Sequence, residues 1–548
     1  MNVFRNKLAG GTLAALLATS VIAGCSSNSS NGSDSGAAAS AKPSAPAVSA
    51  VPKEAPTVTF MTAWDPGLPI SSDLPVFVEW GKRTGVKFEV NSPPRDSFVE
   101  KMNITLASNE LPDMMKFFSD DKSFNNYGPD LFVPLDDYLK NGKLPNLAKW
   151  LKKYPDIEKR MRNPVDGKIY GFPLVQDFES ASSLWYVRND MLKKAGLDAS
   201  KIQSVDDLKK AMLALKEQTG GPVTSTRLGY TYYNWTTQTY FGVGDGMRYE
   251  PTLKKYVFSP VDEEKRYKMW VEFERWAYEQ KLLDPNFLTM KDAELFAGYG
   301  SGKYPLEREQ LGSAPQLNPK NDPNIDVQPI FPFKVDGYMP SIGRGDHFNI
   351  GYRSPVVINK KSKHIDDIIR AMDYTYSDEG IEFFYLGKEG ETFTRDSKTP
   401  SGYRLDKVQS VWTMDANGKY PDGMKKLGDY GYFTWWLTGV APTYIRYNLL
   451  NFKEGQQQQA FFDIDNLKKM DQIGFLHTNP ILLWTKEESA KLAEIGTPLN
   501  TYISENVIKF ILGQKPMTDW DSFIAGFKKL RVDELGKMWN DKLAASNK

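Results

Sequence analysis

Thr57-Val58-Thr59-Phe60-Met61-Thr62-Ala63-Trp64 opens the part of the chain able to build a core. Its residues alternate and are rich in β-branched and aromatic types, so it predicts a strand. Pro75 to Thr84 then reads as a helix, with proline in the first turn and Gly85 at its end. Val86-Lys87-Phe88-Glu89-Val90 alternates as a second strand. Asp96 to Ala107 returns to helical spacing, with Phe98, Met102 and Leu106 on one face. Strand, helix, strand, helix predicts an α/β fold made of parallel βα units. The turn Trp64-Asp65-Pro66-Gly67 leaves an aromatic ring and a carboxylate at the first strand's carboxyl end. Open α/β sheets bind their ligands outside those ends, which makes Trp64 and Asp65 candidate ligand contacts.

Upstream of this strand the composition changes. From Ser26 to about Pro56 the chain is Ser, Asn, Gly, Ala and Pro, with almost no large apolar residue. It buries too little surface to offset its ordering entropy, so a disordered tether is expected over 25–55. Arg5 and Lys7 precede an apolar run from Leu8 to Ala23, too short and wrongly flanked for a permanent membrane span. It reads as a secretory signal over 1–24. Ile22-Ala23-Gly24-Cys25 resembles the lipobox of bacterial lipoproteins, in which the signal is cut before a diacylated cysteine. Cys25 is the one thiol in the chain and forms no internal disulfide. Lipidation at Cys25 implies a tether to the membrane, each buried methylene adding about 0.8 kcal/mol.

Bulk composition bounds what hangs from that tether. The rest of the 548 residues suffices for two or more domains. Basic and acidic residues number 69 and 68 and are interspersed, giving a net charge of +1 and no footprint for nucleic acid or a polybasic membrane patch. Aromatics make up 13% of the chain, with 13 Trp and 27 Tyr. Their apolar faces and polar rims suit stacking on sugar rings as well as filling a core. Three histidines (His347, His364, His477) and one cysteine argue against a transition-metal site, and no cofactor is expected.

Downstream, a series of segments resembles one family. Ser108-Asn109-Glu110-Leu111-Pro112-Asp113-Met114-Met115 resembles the "G-x-x-P-D-I" strand of family 1 extracellular solute-binding proteins, the receptors of ATP-driven sugar importers. Val133 to Tyr138, Asp166 to Pro173, Leu184 to Leu197, Lys360 to Gly380 and Pro516 to Leu530 resemble further segments of the same family, in its order. The long chain looks like the large Gram-positive lipoprotein branch and the alginate-binding receptors. The resemblance implies a type II periplasmic-binding-protein-like fold of two hinged lobes, closing around a ligand.

Lobe boundaries follow from the crossings. Gln176 to Ser183, polar and preceded by the Gly- and Pro-punctuated strand Lys168 to Pro173, is expected to be the first. Ile350-Gly351-Tyr352-Arg353-Ser354-Pro355, leading into strand Val356-Val357-Ile358, is expected to be the second, with a third further on. The N-terminal lobe is thus expected to comprise 56–178 plus 356–400, and the C-terminal lobe 179–355 plus 401–548. Within the latter, Ser204 should cap a helix reaching Glu217, and Asp262 to Lys281 should bury Tyr267, Trp270, Val271 and Trp276.

The resemblance also implies pocket residues. Phe117 and Asp120 follow Pro112-Asp113 at the spacing where maltose receptors place an aromatic and an acid; the alternative is a core ring and a helix cap. Glu179 lies in the first crossing, near where the family puts an acidic sugar ligand; the alternative is a rim salt bridge. Trp235 and Tyr240 belong to the aromatic, amide-rich loop Tyr232 to Tyr240, and such loops carry binding on rigid scaffolds. Arg353 sits by the second crossing, suited to a uronate carboxylate or to fixing the hinge. Trp435 and Trp436 form the densest aromatic cluster, and Asn479-Pro480 lies where relatives face the cleft.

Some apparent motifs carry no chemistry. Asp463-Ile464-Asp465-Asn466 lacks the glycine and closing glutamate of a calcium loop, and Gly242-Val243-Gly244-Asp245-Gly246 does not open a helix as a phosphate cradle would. The functional expectation is a monomeric, non-catalytic receptor that captures an oligosaccharide and delivers it to an ABC transporter permease. An exported glycoside hydrolase is the alternative, although no acid pair sits in a recognisable catalytic motif. A peptide-binding or sensing lipoprotein is the third reading.

Overall fold

The computed structural model describes residues 54–64, 68–117, 127–175, 184–225, 237–308, 317–318, 322, 324–343, 355–399, 402–409, 413, 420–432 and 469–546. The opening units form as their patterns require. Strand β1 (Thr57–Met61) lies parallel to β2 (Lys87–Asn91) and to β3 (Met114–Lys116) in one sheet. The helix between β1 and β2 spans Pro75–Thr84 and ends at Gly85, whose φ of 68° is the left-handed conformation glycine adopts without steric cost. It buries Val76, Phe77 and Trp80, and Trp80 stacks on Phe88 of β2 at 4.1 Å between ring centroids. The next helix, Arg95–Ser108, buries Phe98, Met102 and Leu106.

The fourth strand of this sheet arrives from far along the chain. Strand β10 (Val356–Ile358) pairs antiparallel with β3, giving the order β10-β3-β1-β2. Asp113 fastens the assembly. Its carboxylate accepts from Thr59 N (2.9 Å), Thr59 Oγ1 (2.7 Å) and Ser362 Oγ (2.6 Å), tying β1 to the turns before β3 and after β10. Burial works to raise its pKa, but the hydrogen bonds from Ser362 and Thr59 prevail and hold it below the ordinary aspartate value. Pro112-Asp113 and the Lys360–Gly380 stretch, two of the segments singled out in the sequence, therefore meet physically.

Helices Ile365–Thr375 and Asp378–Leu386 complete this first core with Ile368, Met372, Tyr376, Ile381 and Phe384. Tyr403, Leu405, Val408, Leu427 and Tyr432 also belong to it. Here the sequence-based division needs correction, since it gave all of 401–548 to the C-terminal lobe. The described residues of 402–432 carry only a two-residue strand and a one-turn helix, and they seal the first core with isolated apolar side chains.

A second core is built on a three-stranded sheet. Strand β4 (Trp185–Arg188) lies antiparallel to β7 (Leu306–Glu307) and β8 (Val327–Ile330). Its residues alternate between two buried faces. Trp185 and Val187 enter the second core, while Leu184 and Tyr186 join a smaller cluster with Leu295, Tyr299 and Phe475. Helix Val205–Thr219 starts at Ser204, whose hydroxyl accepts from Asp207 N at 3.1 Å. Helix Glu264–Glu279 buries Tyr267, Trp270 and Val271, whereas Trp276, expected in the core, is only partly covered. Helices Lys486–Ile511, Trp520–Lys529 and Val532–Ser546 close this core.

Core membership changes along the chain between residues 175 and 184, between 343 and 356, and between 432 and 470. Among the described residues, membership therefore changes three times between the first core and the cores of the second lobe. Among the described residues no helix is long and apolar enough to cross a membrane.

Candidate functional site

The parallel strands bring their carboxyl ends to one edge of the first sheet. Trp64 follows β1 there. Its N–H donates to Pro93 O (3.2 Å) and its carbonyl accepts from Arg95 N (3.0 Å), so the loop after β2 pins the residue while its ring stays half-buried. Phe117, after β3, donates through its N–H to Pro355 O (2.8 Å). The described residues flanking the first two expected crossings meet. Phe172 and Val356 exchange backbone hydrogen bonds of 2.8 and 3.1 Å, and the buried Tyr376 hydroxyl donates to Pro173 O at 2.5 Å. Desolvation pushes the Tyr376 phenol well above its ordinary pKa, so it remains a donor.

Where the chain enters the second lobe, Tyr240 fixes the start of β4. Its hydroxyl donates to Ile330 O (2.6 Å) and accepts from Trp185 N (2.8 Å), and its ring stacks on Trp185 at 4.2 Å. The Arg308 guanidinium lies 5.2 Å from the Trp185 ring centroid and pairs with Glu274 at 3.0 Å, both side chains being buried. Burial raises the Tyr256 phenol to about 12 even though the nearby positive charge of Arg160 pulls it down. Among the described residues, no three His, Cys, Asp or Glu side chains gather as metal ligands would.

Of the residues expected to touch ligand, Trp64 lies at the strand edge with part of its ring uncovered. Phe117 has no exposed surface and packs against Tyr127 and Phe132, while Tyr240 is enclosed and spends its hydroxyl on the backbone, so both rings sit within the cores. Cys25, Asp65, Asp120, Glu179, Trp235, Arg353, Trp435 and Trp436 lie outside the described residues. The sequence reading missed Arg308 and Glu274, although Glu274 stands in the apolar stripe of Trp270, Phe273 and Ala277, a position that demands a buried partner. It also missed Tyr256, in the alternating run Lys255–Phe258.

Comparisons with known proteins agree on one family. The family model for bacterial extracellular solute-binding proteins matches residues 69–382. A fructooligosaccharide ABC transporter substrate-binding protein of Streptococcus pneumoniae, FusA, is 22% identical over 511 residues, covering 88% of this chain and 89% of its own. Lipoprotein LipO of Bacillus subtilis is 27% identical over 294 residues, covering 51% of each chain. The crystal structure of the alginate-binding protein AlgQ2 superposes with a TM-score of 0.67 at 18% identity, covering 90% of this chain and 98% of that one. FusA in complex with kestose gives the same TM-score at 20% identity, covering 90% and 100%. These structures share the two-lobed type II architecture. With its family model spanning more than half of the sequence, this chain belongs to the bacterial extracellular solute-binding proteins.

Proposed function

We propose that the protein is a lipid-anchored receptor outside the cell membrane that closes its lobes on an oligosaccharide and hands it to the permease of an ABC transporter. The observation that carries this reading is the pair of separate cores, between which the described residues change membership three times. They occur in a chain related along 88% of its length to a fructooligosaccharide-binding protein. Two packed bodies on a few extended connections move as a hinge, and a ligand touching both favours the closed state by its differential affinity. Trp64 is the described member of the proposed sugar site, offering a ring for stacking at the sheet edge. Asp65, Asp120, Glu179, Trp235, Arg353, Trp435 and Trp436 complete the proposed set. Cys25 carries the proposed anchor and residues 25–55 the tether, in keeping with the relative named a lipoprotein.

The test is a thermal-shift and tryptophan-fluorescence screen of the soluble part, from about residue 56, against fructans, alginate oligomers and plant oligosaccharides. A ligand at a hundred times its Kd adds about 2.7 kcal/mol to the folded state. A rise in Tm with the sugar recovered intact supports a receptor. Cleaved sugar would establish a glycosidase instead, and a response to peptides alone would replace the substrate class.

A further inference from the structure

One buried stripe of helix Glu264–Glu279 is polar at successive turns. Tyr267, Trp270 and Glu274 stand three and four positions apart, hence on one face, and none of them has exposed surface. Val271, Phe273 and Ala277 beside them are apolar, as a helix in a core requires. All three polar tips reach away from the helix. The Tyr267 hydroxyl donates to Asp245 Oδ1, the Trp270 indole N–H donates to Thr237 Oγ1 at 2.9 Å, and the Glu274 carboxylate accepts from Arg308 at 3.0 Å.

Their partners are the roots of connecting segments. Thr237 precedes the single turn Thr239–Phe241, Asp245 lies in the glycine-rich run after it, and Arg308 follows strand β7. Asp245 Oδ1 also accepts from Gln238 Nε2 at 2.6 Å, and Val243 N–H donates to Gln238 O at 3.2 Å, so residues 237–245 close on themselves. Inside that segment Tyr240 grips the start of β4, and Arg308 lies beside the ring of Trp185 there. Helix, segment and strand form one continuous mount.

A phenol, an indole N–H and an ion pair in a core carry a desolvation cost that leucine or phenylalanine in the same places would not. What the polar groups add is direction, since a hydrogen bond fixes its partner at one distance and angle. We propose that Tyr267, Trp270 and Glu274 are positioning residues for sugar binding, which hold the roots of ligand-bearing segments of the second lobe without touching ligand. Thr237 stands two positions after Trp235, a member of the proposed sugar site. This inference rests on the oligosaccharide reading above and adds the residues that set the geometry of that site.

The test is titration calorimetry of the full chain with kestose and with alginate oligomers, at a temperature where every variant is folded, so that affinity is read apart from stability. Tyr267→Phe removes one hydroxyl and keeps the ring, and Trp270→Phe removes the N–H. Each is expected to weaken binding about two- to tenfold. Tyr267→Phe, which loses a single heavy atom, carries the test should Trp270→Phe not fold. Arg308→Met with Glu274→Leu replaces the ion pair by apolar side chains, and is expected to keep Tm near wild type while weakening binding by a similar factor. Val271→Ala, on the same helix with no polar tip, should lower Tm and leave affinity at the wild-type value. Wild-type affinity in all the polar-tip variants would overturn the proposal, and so would an equal loss of affinity in Val271→Ala. Both results leave the receptor reading intact, whereas a wild-type protein that binds neither sugar would overturn that reading and this inference together.

Discussion

Replacing Asp113 should reveal how much of the first lobe hangs on one carboxylate. Asp113 accepts three hydrogen bonds from two residues, Thr59 and Ser362, which lie 54 and 249 positions away. Hydrogen bonds to an ionised group contribute about 1.5–3 kcal/mol each, and three that share one partly buried acceptor do not add in full. Asp113→Ala should therefore cost about 3 kcal/mol, with Ser362→Ala costing about 1 kcal/mol of it. The carboxylate's pKa is lowered in the folded protein, so its contribution is fully present above the unfolded value of about 4 and fades as pH falls through the folded value. Urea unfolding of the soluble protein, followed through the buried Trp80, should show a lower midpoint for Asp113→Ala at pH 7. The difference from wild type should shrink below pH 4. A loss under about 0.5 kcal/mol, or a gap that persists unchanged in acid, would refute the assignment of Asp113 as a charged clamp.

Three further outcomes follow from buried contacts. Arg308→Met strands Glu274 in the second core and should cost about 3–5 kcal/mol, whereas Arg308→Met with Glu274→Leu should recover most of it. Denaturation midpoints that sum additively would rule out the pairing. Gly380→Ala sets a methyl 2.0 Å from the Tyr374 carbonyl oxygen, backbone that cannot swing aside, and should cost about 1–3 kcal/mol by thermal melting. Tyr240→Phe leaves Trp185 N–H without its buried acceptor and should lower stability by about 1–3 kcal/mol, and an unchanged Tm would contradict the network.

The first βα units were legible because their information is local. Proline at the first turn, glycine in the left-handed cap and apolar residues at helical spacing define Pro75–Thr84 without help from elsewhere. The same holds for Ser204 and its helix. What escaped depends on distance along the chain. Phe117 and Tyr240 are aromatic residues beside a strand end or a loop, a pattern that is identical whether the ring points to ligand or to core. Only the enclosure by Phe132 and Tyr127, or by Trp185 and Ile330, tells them apart. The described residues of 402–432 join the first core with scarcely any regular structure, so no periodicity marked their allegiance.

The discontinuity of the first core also sets a schedule for a chain made from its amino terminus. Strands β1, β2 and β3 are available first, yet the edge of β3 stays unpaired until residues 356–358 follow, and Leu427 and Tyr432 come later still. Until then the lobe presents an open strand edge and uncovered apolar residues, a template for mispairing with neighbouring chains. The slow step of folding is then the return of a distant strand, because non-local pairing pays its loop-closure entropy before any contact rewards it.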